Sequence, residues 1–258
     1  EELQAGLQAA AALGAETVAE ELLEGEELSL FALASGTDTL ALPAARDYSR
    51  VGDGDSGPNT GGMGSFSPVP GLDEADVAEL VETIHRPVLE ELFSRGAPFV
   101  GVLYAGLMLT DAGPRVLEFN ARFGDPETQV ILPRLAGDLL PALAAAGSGE
   151  LKELELEASE ESAVTVALTA PGYPLRNDSG TPIDGIADAE ASGALVFHAG
   201  TALRDGRVVT NGGRILNVTA TGTDLAEARE RAYAAIDKIS FDGMHHRTDI
   251  AALAGVDG

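Results

Sequence analysis

Glu118, Asn120, Arg122 and Asp125 lie close together in the string EFNARFGDPETQ, and their types and spacing could do chemistry. On a strand, Val116, Glu118 and Asn120 share one face while Leu117 and Phe119 share the other, so a carboxylate and an amide oxygen point together away from an apolar layer. Two hard oxygen donors side by side suit Mg²⁺ or Mn²⁺, whose remaining shell comes from water and a nucleotide's phosphates. Just beyond, Arg122 offers a planar cation for a phosphate or carboxylate and Asp125 an acid for an amine. Glu118 and Asn120 are therefore the candidate metal pair, and Arg122 and Asp125 the candidate catalytic residues.

A hairpin must position them. The apolar run Phe99 to Leu109, the turn Thr110-Asp111-Ala112-Gly113 and the run Pro114 to Phe119 read as two strands. Upstream, alanine and leucine at helical spacing predict a helix from Leu3 to Leu13 closed by Gly14. A strand over Thr17 to Glu20, an acidic hinge from Glu20 to Glu27 and a strand from Leu28 to Leu33 follow. Ser35 to Asp38 is a turn into a return strand, Thr39 to Leu42. Arg46 to Pro70 has no helical or strand period and is crowded with glycine. Its G-x-G-x-x-G at Gly52, Gly54 and Gly57 cannot open a helix, because Pro58 and further glycines follow, so a dinucleotide fold is excluded. The stretch is instead expected to be a loop whose backbone N–H groups approach an anionic substrate, with Asp53, Asp55 and Asn59 adding polar specificity. Glu74 to Arg95 carries one apolar stripe, with Pro87 expected to kink or split the helix and His85 read as a packing or surface residue.

Asp138 to Ala146 reads as a short helix, and the acidic, irregular segment from Gly147 to Ser162 as a domain boundary. Two units are expected, 1–150 and 161–258. In the second, Ala163 to Ala170 reads as a buried strand and Pro171-Gly172-Tyr173-Pro174 as a breaker. Leu195 to Leu203 pairs with Val208 to Thr210, Arg214 to Thr221 is a further strand, and Asp224 caps a helix from Leu225 to Ile239. Strands followed by a helix suggest that this second unit is a small α+β one. His198, His245, His246 and Arg247 could touch substrate or equally be structural, and the histidines lack the acidic partners and spacing of a zinc site.

Composition narrows the function classes. With 16 basic and 42 acidic residues among 258, the formal charge of -26 disfavours nucleic acid and anionic membranes as partners. Lys152 and Lys238 are the only lysines, a bias that suggests a salt-rich cytosol. The absence of cysteine excludes disulfide and thiolate chemistry. No apolar run approaches ~18 residues and no basic-then-apolar leader opens the chain, so a cytoplasmic location is expected.

The strings EFNARFGDPETQ, Gly101 to Met108, Arg50 to Gly64, Val196 to Thr201 and Val209 to Arg214 together resemble the phosphoribosylamine-glycine ligase family of ATP-grasp enzymes, over roughly Thr17 to Ala252. The resemblance implies the C-terminal part of an ATP-grasp domain followed by a small α+β C-terminal domain. It implies ATP-dependent ligation of glycine to 5-phosphoribosylamine through a glycyl phosphate, giving glycinamide ribonucleotide, ADP and phosphate in purine biosynthesis. By the same resemblance Glu20 and Leu23 flank the adenine, Glu27 faces the ribose, and Asp53, Asp55, Asn59, Gly61 and Gly62 form the substrate loop. The resemblance further implies that Glu118 and Asn120 would hold Mg²⁺ or Mn²⁺ against the phosphates of ATP. The family also carries an N-terminal nucleotide-fold domain and a lysine-bearing lobe that would precede Glu1, so the isolated chain is expected to be an inactive piece of the enzyme. The alternatives are another ATP-grasp carboxylate-amine ligase and a non-catalytic acidic binding module.

Overall fold

Alanine-rich α1 (Glu2–Ala12) opens the chain. The structure is a computed structural model describing residues 2–252 apart from 13, 15, 17, 19 and 155. Leu13, the expected last residue of this helix, lies outside the described residues, as do Thr17 and Ala19 of the strand expected from Thr17 to Glu20. Val18 and Glu20 carry no regular structure.

Strand β1 (Glu26–Ser35) is buried on both faces, which is why it reads as a nearly continuous apolar run. Leu28, Leu30 and Ala32 pack toward one layer and Phe31 and Leu33 toward another. A turn at Gly36, φ 65°, leads into β2 (Asp38–Ala41).

The glycine-rich stretch departs from expectation. Within Arg46 to Pro70 the chain forms four short strands, β3 (Arg46–Asp47), β4 (Arg50–Gly52), β5 (Ser56–Asn59) and β6 (Gly64–Ser67). β6 is wholly buried although its sequence is Gly-Ser-Phe-Ser. Ser65 donates to Arg46 O at 2.8 Å and Ser67 to Ala44 O at 2.7 Å, so the hydroxyls are satisfied internally. A Cβ at Gly64 would lie 2.6 Å from Thr165 O. Small, internally bonded side chains give no hydrophobic alternation, and that hid the strand.

The long helix is divided into α2 (Glu74–Leu80), a π-helical turn Val81–His85 and α3 (Arg86–Ser94). Asp73 and Asp76 form a reciprocal capping box at its start. Pro87 falls in the first turn of α3, where its missing N–H costs least, and the wide turn absorbs the break. His85 is fully buried beneath the sheet, not at the surface, with Nε2 3.1 Å from Leu103 O.

β7 (Val100–Thr110) and β8 (Gly113–Asn120) form the expected hairpin and complete a sheet of order β2-β1-β7-β8. The π turn and α2 cover one face, through Val77 and Val81. α4 (Thr128–Ile131) and α5 (Leu139–Ser148), the latter capped by Asp138, cover the other through Val130, Ile131 and Ala142.

Downstream lie β9 (Ser162–Thr169), β10 (Asp178–Pro182), α6 (Ile186–Ala191), β11 (Leu195–His198), β12 (Thr201–Arg204), β13 (Arg207–Gly212), β14 (Arg214–Gly222) and α7 (Leu225–Ile236). The strand expected from Leu195 to Leu203 is two, broken where Gly200 abuts the backbone of Gly212 and Arg214. β10 and α6 carry too little period to have been anticipated. Two sheets result, β10-β13-β12 and β11-β14-β9-β6-β3, the second backed by α7. β6 pairs with β9 from Gly64↔Val166 to Ser67↔Ala163, so a strand from the glycine-rich stretch belongs to the sheet of the C-terminal region. The stretch between β3 and β6 runs beside the β7–β8 hairpin, where Asn59, Thr60 and Gly61 share a cavity lining with Gly106, Leu107 and Glu118. Among the described residues no helix is long and apolar enough to cross a membrane.

Candidate active site

β8 is an edge strand, and its pairing with β7 slips between Gly106↔Glu118 and Leu107↔Val116, leaving Leu117 as an extra residue. Such a bulge re-aims side chains. Leu117 and Glu118 both line one cavity of about 430 Å³, while Leu117 and Phe119 remain 41% and 37% exposed. The apolar layer expected behind Glu118 and Asn120 is therefore not formed by these residues. The two polar side chains are nonetheless adjacent, Asn120 Nδ2 donating to Glu118 Oε1 at 2.8 Å.

Glu27, Asn59, Gly61, Arg122 and Asp125 also line this cavity, so β1, the glycine-rich segment and the loop after β8 converge there. Glu20 and Leu23, on the segment entering β1, do not line it. Asp53 and Asp55 are not brought in either. Thr248 donates to both carboxylate oxygens of Asp53, its N–H at 2.8 Å and its hydroxyl at 2.5 Å, and Arg247 donates to Asp55 at 2.8 Å. These acids brace the β4–β5 turn against the C-terminal segment, because Asp249 also accepts from Gly54 N at 2.8 Å. Gly62, at φ 109°, takes a backbone conformation in which a Cβ would meet Pro126 at 2.3 Å.

Arg247 is a structural residue. Its side chain is 1% exposed, donates to Asp249, Asp55 and Arg50 O, and sits 4.7 Å from the Tyr48 ring centroid. His245 Nε2 meets Val51 O at 3.1 Å, and His198 Nδ1 meets Thr201 Oγ1 at 2.9 Å. None of these residues lines the cavity.

Other groups at the cavity were given no role by the sequence, although Glu127 lies within EFNARFGDPETQ. Asp47 and Glu127 add two carboxylates to the lining. Glu127, 3% exposed, accepts from Ser29 Oγ at 3.0 Å, and that hydroxyl lies 3.0 Å from Tyr104 OH. Burial, then the charges of Glu127 and Glu27, push the Asp47 carboxyl up to about 8. Burial and the charge of Asp55 raise Glu27 as well, against the opposing pull of Arg46 and Arg50. Arg214 is the other missed residue. It donates to Asp125 Oδ2 at 2.9 Å, Asp125 O at 2.8 Å and Gly61 O at 2.7 Å, so Asp125 is already ion-paired. The remote spacing of Arg214 and Asp125 in the chain gave no hint of this pair.

Among the described residues no three histidines or acids cluster at metal-binding geometry. The donor chemistry of Glu118 and Asn120 still fits a hard cation. Their mutual hydrogen bond uses Nδ2 and Oε1, leaving Asn120 Oδ1 and Glu118 Oε2 as oxygen donors. That suits an ion that keeps several waters.

Residues 4–128 match the family described as phosphoribosylglycinamide synthetase, ATP-grasp (A) domain, and residues 163–253 match its C domain. A phosphoribosylamine-glycine ligase of Streptomyces coelicolor is 52% identical over 241 residues, covering 92% of this chain and 58% of that protein. The chloroplastic ligase of Arabidopsis thaliana is 48% identical, covering 92% of this chain and 46% of that protein. The crystal structure of the Thermotoga maritima ligase superposes with a TM-score of 0.80 at 40% identity, over 90% of this chain and 57% of that one. The N5-carboxyaminoimidazole ribonucleotide synthetase of the same organism, at 18% identity and a TM-score of 0.60, shares the fold. The chain thus spans about half the length of the curated relatives it matches.

Proposed function

We propose, because the chain belongs to the phosphoribosylglycinamide synthetase family, that the protein containing it joins glycine to 5-phosphoribosylamine at the expense of ATP. The products are glycinamide ribonucleotide, ADP and phosphate, as in purine biosynthesis in the cytoplasm. A carboxylate is a poor electrophile because its oxygen leaves badly, and phosphorylation to a glycyl phosphate supplies a leaving group for the amine to displace. The protein's contribution is positioning and charge neutralisation.

The observation that carries this reading is the convergence of Glu118, Arg122, Asp125, Asn59 and Gly61 on one cavity, with Asn120 hydrogen-bonded to Glu118 at its edge. Glu118 and Asn120 would hold Mg²⁺ or Mn²⁺, which would neutralise the triphosphate's charge. Arg122, whose Nη1 donates to Phe123 O at 2.8 Å, retains further donors for a phosphate. Asp125, fixed by Arg214 and by Gln129 Nε2 at 3.0 Å, presents a preoriented carboxylate to an amine. Glu27 is assigned to the ribose and Glu20 and Leu23 to the adenine. Asn59, Gly61 and Gly62 form the substrate edge, while Asp53 and Asp55 hold its far end. The division into 1–150 and 161–258 is part of this reading, with β6 hydrogen-bonded to β9 across it.

The test is product analysis on the full-length protein. Phosphate release should depend on ATP, glycine and phosphoribosylamine together, with equimolar glycinamide ribonucleotide. Phosphate release without that amide, or an amide made from another carboxylate, would overturn the assignment.

A further inference from the structure

One residue of the glycine-rich segment is held from both sides by the C-terminal region. Gly61 N–H donates to Tyr173 OH at 3.1 Å, and Gly61 C=O accepts from Arg214 Nη1 at 2.7 Å. Tyr173 lies in the turn that follows β9 and Arg214 opens β14, so the two partners are anchored at the ends of paired, well-packed strands. The fit is close. A Cβ at Gly61 would lie 3.2 Å from Arg214 Nη2 and 3.5 Å from Tyr173 OH, and one at Gly213 would lie 2.7 Å from the Tyr173 ring. Arg214 also grips the Asp125 carboxylate and carbonyl, with its side chain 18% exposed. A single guanidinium thereby fixes the separation between the substrate edge and the loop that follows the metal pair.

We infer that Tyr173 and Arg214 form a two-point clamp that positions Gly61 and Asp125 for the substrates other than the nucleotide. This rests on the ligase reading given above, and it adds a division of labour. Among the described residues neither clamp residue hydrogen-bonds to Glu27, Glu118 or Asn120, and those three stand on β1 and the hairpin. The substrate side is set by a part of the chain more than a hundred residues away, |i−j| being 112 for Tyr173 and 153 for Arg214. Arginine suits this role because its planar fork serves a carbonyl and a carboxylate together, which a lysine ammonium cannot do in one geometry.

The experiment uses Tyr173→Phe, Arg214→Gln, Arg214→Lys and the Tyr173→Phe/Arg214→Gln double variant in the full-length protein. Loss of one hydrogen bond should raise KM for glycine and phosphoribosylamine about tenfold, with KM for ATP unchanged within about twofold. Because both partners act through Gly61, the double variant should be little worse than Arg214→Gln, a non-additivity expected of one coupled unit. Arg214→Lys should fall near Arg214→Gln if the fork matters. Tyr173→Phe removes one oxygen and keeps the ring packing, so it reports even if the arginine variants fold poorly. Amide hydrogen exchange across residues 59–62 gives a readout independent of turnover, and it should accelerate about tenfold in Tyr173→Phe. Unchanged exchange there, or equal rises in KM for all three substrates, would overturn the clamp. Faster exchange in a protein that makes no glycinamide ribonucleotide would uphold the clamp and overturn the ligase reading.

Discussion

Replacing Asp47 by asparagine should stabilise the protein, and more so as pH rises. The Asp47 carboxyl is driven from 3.8 to about 8 by burial and by the neighbouring charges of Glu127 and Glu27. An acid whose folded pKa exceeds its unfolded value binds its proton more tightly in the folded state. Stability is therefore full below 3.8 and is lost as pH rises through the window up to about 8. Within it the slope is at most ~1.4 kcal/mol per pH unit, or ~3 kcal/mol between about pH 6 and about pH 8. Water entering the open cavity and relaxation of the β3 edge reduce this to about 1–1.5 kcal/mol. The amide introduced by Asp47→Asn carries no charge, so the variant's stability should lack this component. Urea unfolding without divalent cations, at about pH 6 and about pH 8, measures it as a difference in midpoint at constant slope. A stability gain over wild type that does not grow between the two pH values would refute the account. A gain that shrank would mean that Asp47 is ionised and paired. Such a group, destabilising to the fold yet held in a cavity wall, is what a binding site is expected to contain.

Replacing both Glu118 and Asn120 by alanine should abolish Mn²⁺ binding measured by electron paramagnetic resonance while the chain stays folded; undiminished affinity would remove the site assignment. His85 is held down to about 4 by burial, so stability should be lost as pH falls from 6.5 toward that value, and His85→Leu should flatten this acid limb in a thermal melt series. Arg247→Met leaves Asp249 and Asp55 without their buried partner and should cost about 3 kcal/mol by denaturant unfolding. With a charge of -26, melting temperature should rise in about 1 M KCl beyond the gain in a neutral sugar osmolyte, and a flat response would contradict the charge argument.

What the sequence by itself determined is local. The β7–β8 hairpin, the turn at Gly36, the Asp224 cap and the break at Pro87 were legible because each depends on residues a few positions apart. The adjacency of Glu118 and Asn120 follows from strand alternation alone, and the long family strings supplied the α+β class and the ATP-grasp resemblance. Tertiary structure decided the remainder. β6 is a core strand because Gly64 fits against Thr165 and two serines find carbonyl partners, conditions no periodicity encodes. Asp53 and Asp55 look like loop ligands, yet Thr248 and Arg247, far along the chain, engage them. Asp47 and Glu127 acquire meaning only when β1, β3 and α4 bring their carboxylates beside Glu27 in a largely buried cavity wall. Arg214 reaches Asp125 across 89 positions because β9 and β14 join the sheet that already holds β6. Long-range pairing of this kind is set by packing of whole elements against one another, and a pattern read along a single stretch of chain carries no record of it.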